Sequence, residues 1–269
     1  MNKILLIGCG HMGSSLLKAW SLQKKYSFIV VDPVKHKKIK RLYKDNVDAF
    51  SSLNSIKKTN LIDVVIFAVK PQTIIKVLEN FKNLTFKKET IYISIIAGSK
   101  INFFNKYLQN KNQFVRAMPN MPAMINVGMT CLVSNKNVTK KNKNIVNSLF
   151  LSVGDTAWLK NESAINKVTA ISGSGPGYVF LLIDAFEKAA SKLGLGNKIT
   201  KQLVHQTFLG SINLFIYEKK NASSLVDSIA VKGGTTEAGI SIFKNKDILN
   251  KTFSKAVKAA YDRANKLGK

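Results

Sequence analysis

The chain has 269 residues, 45% of them hydrophobic, with 39 Lys, 3 Arg and 15 Asp plus Glu, for a formal net charge of +27. That length suits one large or two modest domains around a real core, which excludes wholesale disorder. Sixteen Gly and five Pro exclude a collagen-like or low-complexity chain, and no run approaches the roughly 18 apolar residues of a membrane-spanning helix.

The predicted elements run as follows. An apolar run over 3–7 ends at glycines and reads as a buried strand; it is too short for a signal-peptide core. Helical spacing over 14–25 puts Leu16, Leu17, Trp20 and Leu22 on one broad face. A second strand over 27–31 stops at Asp32-Pro33, and a basic helix covers 35–44. A strongly apolar strand over 63–69 stops at Lys70-Pro71, a helix covers 73–80, and another buried strand over 90–97 ends at Gly98. Further strands are predicted over 114–118, 127–134 and 156–159, with a helix over 139–151. Strands alternating with helices argue for an α/β fold with a doubly wound, largely parallel sheet.

Beyond Glu162 the strand signal fades. Helices are predicted over 176–193, 200–219, 222–229, 235–243 and 247–266. The chain is therefore expected to divide into residues 1–160, a doubly wound α/β domain, and residues 161–269, an all-helical domain. Several of those helices are apolar around much of their circumference, which predicts burial against a partner subunit.

The charge admits two readings. A field of this sign suits nucleic acid or an anionic membrane, and it suits equally a lysine-rich solvated surface. Readers of bases favour the forked guanidinium, whereas Arg is nearly absent here and Asn, at 25 residues, is abundant. Residues 1–160 hold 26 basic and 7 acidic side chains, the rest 16 and 8, so the excess is spread and does not form a detachable arm. Two cysteines, Cys9 and Cys131, cannot build a disulfide framework, and a reduced, cytoplasmic protein is expected. His11, His36 and His205 are scattered, so no metal site is expected.

The first chemical motif is Gly8-Cys9-Gly10-His11-Met12-Gly13, placed where a strand opens into a helix. Gly8 permits the tight turn, Gly10 lets the backbone approach a pyrophosphate, and Gly13 lets the helix pack on the strand. The helix N-terminus adds amide donors and the positive end of its dipole. Asp32, 24 residues after Gly8, stands near where an acidic residue binds the ribose hydroxyls of NAD. Lys35, His36, Lys37 and Lys38 follow at once and suit the extra phosphate of NADP, so the two signals oppose each other.

Ala68-Val69-Lys70-Pro71 and Ala97-Gly98 lie at strand carboxyl ends, where open α/β sheets bind ligands. Lys70 there suits a ribose or phosphate, or simply solvent. Three later stretches read as ligand loops or as plain helix caps: Arg116-Ala117-Met118-Pro119-Asn120-Met121-Pro122, Ser172-Gly173-Ser174-Gly175-Pro176-Gly177-Tyr178, and Lys232-Gly233-Gly234-Thr235-Thr236.

In this order the motifs resemble pyrroline-5-carboxylate reductase over essentially the whole chain. The Ser-Gly-Ser-Gly-Pro-x-Tyr stretch and Gly233-Gly234-Thr235-Thr236-x-x-Gly239-Ile240 are the most distinctive parts. The resemblance implies that residues 1–160 form a dinucleotide-binding domain of Rossmann type and residues 161–269 a helical dimerisation and substrate domain, in a homodimer with interleaved helical domains, often stacked into a larger ring. It implies an active site between one subunit's nucleotide domain and its partner's helical domain, and no role for nucleic acid or a membrane. It also implies that Gly8, Gly10, His11, Met12, Gly13, Asp32, Lys35, Asn54, Ala68, Val69, Lys70, Pro71, Ala97, Gly98 and Asn120 contact NADPH or NADH. Glu162, Ser174, Gly234, Thr235 and Thr236 would meet the substrate, with the amides of Gly234–Thr236 on its carboxylate and the Thr236 hydroxyl, the assigned catalytic group, facing the ring nitrogen.

Three positions depart from the family pattern. Val231-Lys232 replaces the usual Ser-Pro, Asn166 replaces a frequent Asp, and Asp32 is unlike the neutral or basic residue of a strict NADPH enzyme. The implied reaction transfers hydride from NAD(P)H to the imine carbon of 1-pyrroline-5-carboxylate, giving L-proline. It needs positioning more than acid–base machinery, in keeping with motifs that hold no Ser/His/Asp set, metal cluster or paired carboxylates. The rival functions are a related imine or β-hydroxyacid reductase acting on another small carboxylate, and a non-catalytic nucleotide-sensing or nucleic-acid-binding protein.

Overall fold

In the computed structural model, which describes residues 2–43, 45–108 and 112–267, the first apolar run is strand β1 (Asn2–Ile7). Its side chains serve both faces of a sheet. Ile4 and Leu6 enter one apolar layer with Phe28, Val30, Val64 and Ile66; Leu5 and Ile7 enter the other with Ile29, Val31, Val65 and Phe67. A strand covered on both faces has no polar side to show, which is why the run is continuous and does not alternate.

Helix α1 (His11–Trp20) follows directly. It starts three residues before the predicted 14, because extended Gly10 is its N-cap, and stops at Trp20. Leu22, expected on its apolar face, lies beyond the helix end and is 78% exposed. Strand β2 (Tyr26–Val31) and helix α2 (His36–Leu42) come next. The predicted end of that helix, Lys44, lies outside the described residues. Strand β3 (Val47–Phe50) was not foreseen: only Val47 of its four residues is buried, so it carries almost no apolar signal.

Strand β4 (Val64–Phe67), helix α3 (Ile74–Phe81) and strand β5 (Ile91–Ser94) match the predicted elements within a few residues. Helix α4 (Ile101–Asn105) is five residues long, too short for periodicity to reveal. Strands β6 (Gln113–Met118) and β7 (Gly128–Ser134), helix α5 (Lys140–Leu151) and strand β8 (Gly154–Trp158) complete the α/β part.

Among the described residues, eight strands form one sheet in the order β3-β2-β1-β4-β5-β6-β7-β8. The first six are mutually parallel, β7 runs antiparallel to β6, and β8 lies parallel to β7. The order 3-2-1-4-5-6 is that of a dinucleotide-binding fold, with its reversal point between β1 and β4. Trp20 fastens one helical layer: its indole N–H donates to the Leu149 carbonyl at 2.9 Å, and its ring meets Phe150 edge-on.

The rest is helical, as expected: α6 (Ala164–Val168), α7 (Gly175–Ser191), α8 (Asn197–Glu218), α9 (Ala222–Ile229), α10 (Thr235–Lys244) and α11 (Ile248–Leu267). Contacts divide the chain into two compact units. One comprises Met1–Ser174 together with Ala260–Lys269, and the other Gly175–Ala259. Within the second unit, α7 and α8 meet through Phe186 and Phe208 and through a 2.6 Å bond between Glu187 and His205. Large apolar side chains there stay open to solvent, including Phe180, Leu181, Leu209, Ile212 and Ile216.

Candidate active site

The loop from β1 into α1 is shaped by what lies beneath it. Gly8 has φ +92°, and a Cβ on it would fall 2.7 Å from Val69 Cγ1 and 2.8 Å from the Ala68 carbonyl oxygen. A Cβ on Gly13 would fall 2.6 Å from the Gly8 carbonyl oxygen. Both glycines are thus required by the fold itself. Gly10 differs: a Cβ there would meet nothing within 4 Å, and no side chain caps the helix it opens. The first amides of α1, at His11 and Met12, are left for an external partner. This open, uncapped helix start fits the pyrophosphate of a dinucleotide.

Asp32, at the end of β2, is committed to the backbone. Its Oδ2 accepts from the Cys9 N–H at 2.8 Å, and its Oδ1 accepts from the N–H groups of Val34 and Lys35 at 3.0 and 2.8 Å. Lys35 reaches back and donates its ammonium to the Cys9 carbonyl at 2.8 Å. The opposed cofactor signals read from the sequence are therefore one network around Cys9. Burial, and secondarily Asp32, push the Cys9 thiol up to about 11, with Lys35 working against them. Beside the loop, Cys9, Ser14, Lys18, Lys35, Lys38 and Tyr43 line a cavity of about 300 Å³.

The other strand-end residues lie along the same edge of the sheet. Asn54 is exposed in a short turn (Leu53–Ser55) past the end of β3. Ala68 and Val69 are half-buried against the Gly8 turn, and Lys70 is exposed, capping a turn that begins at Pro71. Ala97 and Gly98 follow β5. Gly98 has φ +80°, and a Cβ on it would fall 2.5 Å from the Leu267 carbonyl oxygen, so the end of α11 seats directly on this loop.

Beyond β6, Asn120 is buried and held at both ends of its amide: its Oδ1 accepts from the Met129 N–H at 2.8 Å and its Nδ2 donates to the Ser172 carbonyl at 3.1 Å. Glu162, expected beside substrate, receives the Arg116 guanidinium at 3.1 Å and the Ile101 N–H at 2.8 Å, both on Oε1. Burial lowers the Arg116 pKa and Glu162 opposes that shift. Between α6 and α7, Thr169–Gly173 form a π turn closed by the Ser174 N–H on the Thr169 carbonyl at 2.8 Å. The Ser172 hydroxyl inside it is buried and, among the described residues, without a partner. The sequence flagged its motif but chose Ser174, since an orphaned hydroxyl leaves no trace in residue spacing.

The second unit holds the remaining residues. Gly233, at φ +77°, turns the chain so that Gly234 caps α10 without a side-chain bond. Glu237 bends back to take the Gly233 N–H at 2.7 Å. Thr235 and Thr236 fill the first two helical positions, whose amides have no intrahelical acceptor. Thr235 is exposed and Thr236 half-buried. The amides of Thr235 and Thr236, flanked by their two hydroxyls, suit a small carboxylate, whereas the Gly234 N–H, expected to help hold it, is already given to the Val231 carbonyl at 3.0 Å because the turn closes on itself there.

A family profile described as pyrroline-5-carboxylate reductase dimerisation matches residues 162–267, and one described as NADP oxidoreductase, coenzyme F420-dependent, matches residues 3–98. Pyrroline-5-carboxylate reductase of Haemophilus influenzae is 32% identical, over 98% of this chain and 97% of that one. The structure of the Coxiella burnetii pyrroline-5-carboxylate reductase superposes with a TM-score of 0.88 at 33% identity, covering 99% of this chain and 98% of the other. That of Plasmodium falciparum pyrroline carboxylate reductase with NADP bound gives 0.87 at 30% identity, covering 100% and 98%.

Proposed function

The chain belongs to the pyrroline-5-carboxylate reductase family, and from that premise we propose how its residues carry the reaction. It is an NAD(P)H-dependent oxidoreductase acting on a C=N bond, converting 1-pyrroline-5-carboxylate to L-proline in the last step of proline biosynthesis. The observation that carries this reading is the near end-to-end match to reductases of that name.

A bound reduced nicotinamide supplies the hydride that the imine carbon receives. We assign residues 1–160 to holding the dinucleotide and 161–269 to dimerisation and substrate. Gly8, Gly10, His11, Met12 and Gly13 cradle the pyrophosphate with backbone groups. Asp32, Lys35 and Asn54 flank the adenosine ribose, with Asp32 acting chiefly by fixing the loop it is bonded to. Ala68, Val69, Lys70, Pro71, Ala97, Gly98 and Asn120 line the nicotinamide half.

Amides of Thr235 and Thr236 anchor the substrate carboxylate, with Gly234 shaping the turn before them; this sets the face of the ring presented, and Glu162 and Ser174 complete its surroundings. The Thr236 hydroxyl holds the ring nitrogen. The imine is protonated before reduction, since the iminium is the better electrophile, so the side chains need only orient it and exclude water.

The protein is a homo-oligomer. In our reading it is an interleaved dimer in which one subunit's nucleotide loops work with its partner's α10, and such dimers stack into a larger ring. A cytoplasmic setting fits two free, buried thiols. The test is reduction of pyrroline-5-carboxylate by the purified chain with each cofactor in turn; no oxidation of either cofactor overturns the reading. Within it, Thr236→Ala should lower kcat roughly 10–100-fold with little change in cofactor affinity. Unchanged steady-state kinetics in that variant would remove Thr236 from its role.

A further inference from the structure

The π turn Thr169–Gly173 is a rare backbone form that recurs at functional sites. Its polar groups are not equally used. Thr169 donates its hydroxyl to the Ile165 carbonyl at 2.7 Å, and the Ser172 carbonyl receives Asn120 Nδ2 at 3.1 Å. Asn120 is itself held by the Met129 N–H at 2.8 Å. A Cβ on Gly173 would stand 3.1 Å from Met118 Cε, so the turn lies against the carboxyl end of β6. The backbone at Ser172 is therefore fixed, while its hydroxyl is buried and, among the described residues, unpartnered. Buried hydroxyls are nearly always paired, and an unpaired one is destabilising unless something else completes it.

The strands β4, β5 and β6 form the second mononucleotide half of this fold, the half that takes the nicotinamide end of a dinucleotide. We infer that the Ser172 hydroxyl is reserved for the carboxamide of the bound nicotinamide. A carboxamide offers a donor and an acceptor, and a hydroxyl answers either. One bond there fixes the rotation of the ring and so the face from which hydride leaves. The inference rests on the cofactor reading above.

Ser172→Ala separates the possibilities. Without ligand, its Tm should equal or exceed that of the parent, because an unsatisfied buried hydroxyl has been removed. Its Kd for NADPH, by direct fluorescence titration, should rise roughly tenfold, one charge-free hydrogen bond's worth. Its Kd for adenosine 2′,5′-bisphosphate, which lacks the nicotinamide, should not change. A lowered ligand-free Tm, an unchanged NADPH Kd, a raised KM confined to the imine, or equal weakening of both nucleotides each overturns the assignment. A parent protein that binds neither nucleotide overturns the cofactor reading and the assignment with it.

Discussion

The three glycines of the first loop are alike in sequence and different in cause. Gly13 is dictated by the Gly8 carbonyl oxygen, 2.6 Å from where its Cβ would stand, whereas Gly10 faces open space at an ordinary φ of −65°. Gly13→Ala must push α1 off the sheet, so it should lower stability and nucleotide binding together. Gly10→Ala should fold within about 0.5 kcal/mol of the parent and yet bind NADPH weakly, because the added methyl occupies the approach to the α1 amides. Thermal unfolding and NADPH titration on the two variants check this; a destabilised Gly10→Ala, or one with parental affinity, contradicts it. Motif spacing identifies all three residues but cannot tell a glycine kept for packing from one kept for a ligand. Asp32 teaches the same point. From sequence it is a ribose reader, whereas its carboxylate spends three bonds on its own backbone.

Among the elements, the joint between β6, α4 and α6 depends on one ion pair. The Arg116 side chain is 4% exposed and that of Glu162 28% exposed. Glu162→Gln leaves a guanidinium with no counter-charge in a largely dry setting, and should cost about 2–3 kcal/mol, the half-open side of the pair keeping it below the cost of a fully buried one. A Tm several degrees lower, partly recovered when Arg116→Met is added, is the expected result; an unshifted Tm means the pair is dispensable. The pair also shows where sequence reading ran out. Motifs point to Arg116 and Glu162 separately, but nothing in linear spacing says that residues 46 apart neutralise each other. Long apolar runs such as those of β1, β4 and β5 declared themselves, because burial on both faces demands them. Strand β3 and helix α4, four and five residues long, did not, because tertiary contacts rather than their own composition hold them.

At the scale of the whole molecule, the +27 charge first suggested nucleic acid. Full-length kinship with a reductase family requires no nucleic acid to account for the lysines, and any field they make reaches only a screening length of about 8–10 Å. The feature that speaks of partners is apolar. Leu209, Ile212 and Ile216 lie on one side of α8, each more than half exposed, and a face of that kind is covered in a working assembly. Ile212→Lys should therefore halve or further reduce the mass measured by light scattering and remove proline synthesis with it. A full-sized, fully active variant would place the subunit interface elsewhere.

The seating of Leu267 against Gly98 makes one edge of the first compact unit a long-range closure. The two residues stand 169 apart in sequence, and the chain passes through the whole of the second unit, Gly175–Ala259, before the segment from Ala260 rejoins the first. Closing so long a loop costs more chain entropy than pairing neighbouring strands, so the strands can assemble before this contact forms. The loop beside Gly98 is thus finished by a segment that local folding of the sheet does not supply.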